Sequence, residues 1–289
     1  MKLSKYSVRF ILKRFNLLVI TFGYLIMKNL LFLLILLLLT GCRSNKESMT
    51  KIIFLHHSTG RSVWIGNTNR YIYRLTMQGD VQKYFKNYNK KNNTDYFITE
   101  MPFPKSNPYG WKNYPYDYYN IWVKNSGDEP FMEEPTLEIL TRDYNVIIFK
   151  HCYPVSRMVT DIGKPDINSE IKSLENYKLQ YTALKEKMHE FPETKFIIWT
   201  PAVNTISNMT EEEAIRTKEF HSWLIKEWDE IGDNIFLWDF YEYETEGGLY
   251  LTEKNAYSPV NSHPSIEFSG KVAPLFGKFI IDVINNKVD

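Results

Sequence analysis

The chain has 289 residues, 44% hydrophobic and 24% charged, with 13 Gly and 13 Pro, which excludes collagen-like and disordered chains and leaves an ordinary globular body. The formal net charge of +1 conceals an asymmetry: residues 1–41 carry six basic side chains (Lys2, Lys5, Arg9, Lys13, Arg14, Lys28) and no acid, leaving 29 Lys and Arg against 34 Asp and Glu elsewhere. A mildly acidic body without a basic cluster argues against nucleic-acid binding, and two cysteines, Cys42 and Cys152, imply no disulfide framework.

In chain order, Met27-Lys28-Asn29 precedes an unbroken apolar run, residues 30–39, that ends Leu39-Thr40-Gly41-Cys42. A positive start, a short apolar stretch and a small-residue site describe a secretory signal peptide. The run is too short for a spanning helix, which needs roughly 20 apolar residues. Its ending resembles the bacterial lipobox, whose cysteine is diacylated and becomes the mature N-terminus. That resemblance implies a lipid anchor at Cys42, with the domain in the bacterial cell envelope, outside the cytoplasm. Residues 1–26 hold a second basic start and a weaker apolar stretch, so translation is expected to begin at Met27. The expected layout is a signal peptide over 1–41, a lipidated cysteine and polar tether over 42–49, and one domain over 50–289.

Within that domain, residues 51–57 (Lys51 to His57) read as a buried strand, and 95–101 as a weaker one. Residues 145–150, 195–199 and 234–238 are again continuous apolar runs, which suit parallel strands covered on both faces. Between them, Ile171, Leu174, Tyr177, Leu184 and Met188 predict a helix over about 168–190. Thr210 and Glu213 form a capping-box signature opening a helix over 210–231, and a last helix fits 267–286. Strands alternating with helices predict an α/β fold, a three-layer α/β/α sandwich with a mostly parallel, flavodoxin-like doubly wound sheet. Residues 102–135, dense in Pro, Tyr and Trp, read as a long aromatic loop that either contacts substrate or covers the core.

In such sheets chemistry lies beyond the carboxyl ends of the strands. There the first strand delivers His56-His57-Ser58-Thr59-Gly60, and Asn261-Ser262-His263-Pro264-Ser265 precedes the last helix. A serine past a buried strand can use the N–H groups of the following helix, but it needs a base to take its proton. At these blocks the sequence resembles the SGNH/GDSL hydrolases, over roughly 50–285. The resemblance implies an esterase or deacylase working through an acyl-enzyme on a small-molecule or glycan ester, without a cofactor. Ser58 would be the nucleophile, His263 the base and Asn261 its orienter, with Ser58, Gly110 and His151 as oxyanion donors. The family's Asp three residues before the histidine is here Val260, so Asp239 is a second candidate orienter. Its oxyanion Asn is also missing, because the third strand ends Lys150-His151-Cys152.

Competing readings arise from the same residues. A missing Asp suits a catalytically weak or inactive lipoprotein that binds glycan or protein. His57, His151 and His263 near one edge raise a metal site, but without carboxylate or cysteine ligand spacing no metal is expected. Cys152 reads as a small buried hydrophobe.

Overall fold

The structure, a computed structural model, describes residues 26–30 and 49–288. Cys42 and the tether up to Ser48 therefore lie outside the described residues, and residues 26–30 are helical. The chain divides at Glu47/Ser48 into two units, and the second, Ser48–Asp289, contains the whole sheet and every helix that packs on it.

Five strands form the sheet: β1 Thr50–His56, β2 Tyr96–Pro102, β3 Val146–Phe149, β4 Lys195–Trp199 and β5 Ile235–Trp238. They lie in the order β2-β1-β3-β4-β5 and every neighbouring pair is parallel. The helices are α1 Ser58–Ile65, α2 Arg70–Thr76, α3 Asp80–Asn92, α4 Pro115–Tyr119, α5 Leu137–Asp143, α6 Leu174–His189, α7 Glu211–Trp223, α8 Phe240–Thr245 and α9 Ile266–Ile284. A two-stranded antiparallel ribbon, β6 Ala256–Ser258 and β7 Asn261–Pro264, leads into α9.

Alternation along the strands sorts the core into two layers. Ile52, Phe54, Ile148 and Trp199 face α1, α3 and α9 through Trp64, Phe85 and Phe276. Ile53, Leu55, Ile147 and Phe149 face the opposite layer of α4, α6 and α7 through Trp122, Tyr181 and Phe220. The fold is thus the three-layer sandwich expected from continuous apolar strands.

Two details depart from the sequence expectations, and a third selects one of two readings. Helix α6 starts at Leu174 because Ser173 caps it, its hydroxyl accepting from Asn176 N–H at 3.4 Å, while Val159 N–H holds the preceding residue at Lys172 O, 2.8 Å. Helix α3 is absent from those expectations, although Val81, Tyr84, Phe85 and Tyr88 carry helical spacing. The aromatic segment is largely core: Tyr118 and Trp122 are fully buried, Trp111 nearly so, and Trp122 Nε1 donates to Pro135 O at 3.1 Å. The Thr210–Glu213 capping box is present at 3.2 and 2.9 Å.

Candidate active site

The sheet reverses its winding between β1 and β3, and crevices open at such switch points, beyond the carboxyl ends of the strands. β1 hands the chain to Ser58, and β3 hands it to Lys150, His151 and Cys152. Ser58 is the first residue of α1, where N–H groups have no intrahelical acceptor. Gly60 lets this turn sit on the strand ends: a Cβ there would fall 2.6 Å from His56 Cβ and 3.0 Å from Lys150 Cδ.

β7 supplies the histidine. Successive strand side chains point to opposite sides, so Asn261 and His263 reach the cleft while Ser262 turns inward. There its hydroxyl accepts from Thr205 N–H and Asn208 Nδ2, each at 3.1 Å. Asn261 Oδ1 accepts both the His263 backbone N–H at 3.1 Å and the ring Nδ1 at 2.7 Å. The backbone N–H can only donate, which fixes the Asn261 amide with its oxygen towards the histidine; the ring then carries its proton on Nδ1 and leaves Nε2 as a lone pair. The Tyr153 ring meets His263 edge-on at 5.0 Å. Burial first, and then the charge of Lys150, hold the His263 imidazole below the usual histidine range.

Ser58, Asn261 and His263 line one cleft of about 920 Å³. Ser58 Oγ rests 3.8 Å from Cys152 Sγ, and among the described residues no hydrogen bond joins it to His263. Behind Cys152 lies a buried lysine, Lys150, whose Nζ is 3.7 Å from the sulfur. Burial alone would push the thiol up, but Lys150 and the Thr59 N–H outweigh it and draw the thiol below its ordinary range. Burial draws Lys150 down in turn. Asn113 fixes this corner, its Oδ1 accepting from Cys152 N–H at 2.7 Å and its Nδ2 donating to Phe103 O at 2.9 Å.

The remaining candidates lie elsewhere. Gly110 sits in an exposed turn with its N–H donated to Ser106 O at 2.6 Å, so it is not available as an oxyanion donor. His151 is buried against Tyr118, Phe149 and Tyr181, its Nδ1 3.2 Å from Asn113 O, and burial first, then Lys150, push it down to about 3. It is a neutral core histidine outside the cleft. Asp239 accepts from His221 Nε2 at 2.8 Å and from the Thr200 hydroxyl at 3.0 Å, so it does not orient His263. His57 Nε2 donates to Pro104 O at 2.5 Å. Thus His57, His151 and His263 occupy separate environments, and among the described residues no group of three or more His, Cys, Asp or Glu is arranged to hold a metal. None of the described helices is long and apolar enough to cross a membrane.

No protein-family model matches the chain, and no curated protein matches it. One similar solved structure is described as a carbohydrate esterase whose active site displays divergent catalytic and non-catalytic binding functions. It is 12% identical, with a TM-score of 0.36, over 80% of this chain and 68% of that one. A likeness at that level leaves the chemistry to this chain's own residues.

Proposed function

We propose that the protein is an exported serine esterase or deacylase of SGNH type, anchored through Cys42, that cleaves a small-molecule or glycan ester by way of an acyl-enzyme. The observation that carries the reading is the Asn261–His263 contact of 2.7 Å, which leaves Nε2 basic in the cleft that Ser58 also lines. The Ser58 hydroxyl turns from Cys152 to Nε2, loses its proton there and attacks the ester carbonyl. The Ser58 N–H at the start of α1 receives the developing oxyanion. His263 then protonates the departing alcohol, and water attacking the acyl-Ser58 ester completes the cycle with the same histidine as base. Asn261 fixes the tautomer but cannot stabilise the imidazolium as a carboxylate does, so the turnover expected is modest.

The test is hydrolysis of p-nitrophenyl acetate by the full-length chain in detergent, wild type against Ser58→Ala, with mass spectrometry of a fluorophosphonate-treated sample. Turnover that requires Ser58, together with a phosphonyl adduct on Ser58, is the expected result. Turnover surviving Ser58→Ala, or none in a folded wild type, overturns the reading; the second outcome favours the binding lipoprotein. Acyl chains on a Cys42 peptide from membrane-extracted protein test the anchor.

A further inference from the structure

The walls of the cleft carry a charge pattern that the ester chemistry does not require. Its lining includes Arg61, Arg70 and Arg74 and not one Asp or Glu, although acids outnumber bases outside the first 41 residues. Among the described residues, none of the three arginines has an ion-pair partner. Arg61 lies 5.8 Å over the Tyr73 ring and helps draw Glu100 down, with burial of Glu100 opposing and His56 and Tyr73 assisting. Arg70 and Arg74 are exposed and stand four residues apart on α2, hence on one side of it.

The surface that holds these cations is built, not incidental. Asp80 pins the loop from α1 to α2, its carboxylate accepting from Asn67 N–H and from the Thr68 hydroxyl, each at 2.6 Å. Asn69 caps α2, accepting from Tyr71 N–H at 2.9 Å. Ser269 of α9, only 1% exposed, also lines the cleft, and its buried hydroxyl has no hydrogen-bond partner. Two tyrosines flank the opening, Tyr71 at 74% and Tyr257 at 57% exposure.

Ile65, Pro264 and Ile266 are the aliphatic members of the lining, and the rest of its apolar surface comes with polar side chains such as the tyrosines. The exposed Ile72, Leu75 and Met77 lie outside the cleft. A long acyl chain would need a continuous apolar channel. Unpaired guanidinium groups, side-chain amides and hydroxyls suit instead a hydroxylated ligand bearing negative charge, since arginine recognises carboxylate and sulfate through its planar fork of donors. Flanking tyrosines can cover the faces of such a ring.

Resting on the esterase reading, we infer that the natural substrate is a short-chain acyl ester of an anionic saccharide, with the uronate carboxylate or sulfate seated against Arg70 and Arg74 while the ester reaches Ser58. An unpaired arginine meeting an anion at a partly exposed site changes affinity by about tenfold, and that gain falls as salt screens it.

The experiment compares kcat/KM of the full-length chain on O-acetylated polygalacturonate, an O-acetylated sulfated galactan and O-acetylated xylan, the neutral control, at matched acetyl content. The expected result is at least about a tenfold preference for one or both anionic polymers at low salt. It shrinks with added NaCl and collapses towards unity in the Arg70→Gln/Arg74→Gln variant. Which anionic polymer leads separates carboxylate from sulfate. Equal or better turnover of xylan, a preference unchanged in the double variant, or hydrolysis confined to phospholipid vesicles overturns the inference. Should the chain hydrolyse no ester, the esterase reading fails alone. Calorimetric binding of oligogalacturonide and sulfated galactan oligosaccharides, against xylo-oligosaccharide, then decides the charge preference: salt-sensitive binding of either anionic set supports it, and binding of neither overturns it.

Discussion

At the scale of single residues, the proposed chemistry rests on Ser58, Asn261 and His263, with the buried Lys150 acting on the histidine by its charge. Asn261 does two things, holding the ring and setting its tautomer. Asn261→Leu should therefore lower kcat by about 10²–10³, with a smaller effect on KM. Asn261→Asp places a carboxylate at the same ring nitrogen, which favours the imidazolium, so the acid limb of the kcat/KM profile should move to higher pH. In the wild type that limb should lie below the usual histidine range, because burial and the charge of Lys150 both disfavour the protonated ring. If His263 is the base of the proposed reaction, activity should rise as pH climbs through its pKa and then level off through neutrality. Lys150→Met removes one of the two causes and should also move the limb upward; a pH–rate profile that stays put would show that Lys150 does not act on His263. That Ser58 and His263 would meet at one edge of the sheet was legible in the sequence, because each stands in a short block beside a recognisable element. Lys150 was not: nothing in Phe149-Lys150-His151 reveals that the lysine packs inward behind Cys152 and Ser58. The misassignment of His151 has the same origin, since the chain turns at the end of β3 and directs that ring into an aromatic pocket.

At the scale of elements, the site depends on how closely α1, α2 and α3 approach one another. Gly79, just before α3, is the tightest point: a Cβ there would lie 2.1 Å from Trp64 O, a backbone atom that cannot step aside. Gly79→Ala should separate α1 from α3 and destabilise the fold by about 2–4 kcal/mol, which for a body of this size lowers Tm by roughly 2–4 °C per kcal/mol. A thermal melt within about 2 °C of wild type would show that the approach relaxes without cost. The strands were legible because parallel strands buried on both faces read as unbroken apolar runs. α7 was legible from its capping box. α2 and α3 were hidden by composition, since α3 spends most of its positions on Lys, Asn and Gln and buries only Val81 and Phe85 fully. The aromatic segment left two readings open, because its prolines and tyrosines suit a substrate loop as well as core cover; Tyr118 and Trp122, with acceptors and aromatic neighbours within the core, select the second.

At the scale of the whole molecule, the buried charge around the site should shape stability as a function of pH. Glu244 is wholly buried on α8; one carboxylate oxygen accepts from Val203 N–H at 2.8 Å, and the other has no partner. Burial, only partly offset by the Val203 N–H and Lys150, pushes its carboxyl up to about 8. The folded-state value exceeds the ordinary one of 4.5, so the folded protein holds a proton that the unfolded chain has released over the intervening pH range. The stabilising contribution is complete below the ordinary carboxylate range. It then declines by roughly 1.4 kcal/mol per pH unit until the pH passes the folded-state value. Glu244→Gln keeps an oxygen for the Val203 N–H and removes the titration. Relative to wild type, it should therefore gain stability steadily from pH 5 to pH 8, as read from urea midpoints at constant ionic strength. If Glu244 were instead a carboxylate balancing the Lys150 ammonium, the same substitution would strip Lys150 of its counter-charge. Glu244 would then be ionised in both the folded and the unfolded chain from pH 5 to pH 8 and would contribute no slope there. The variant would be less stable than wild type at pH 8, where a protonated Glu244 predicts it to be more stable; the sign of that difference decides which of the two buried groups carries the proton.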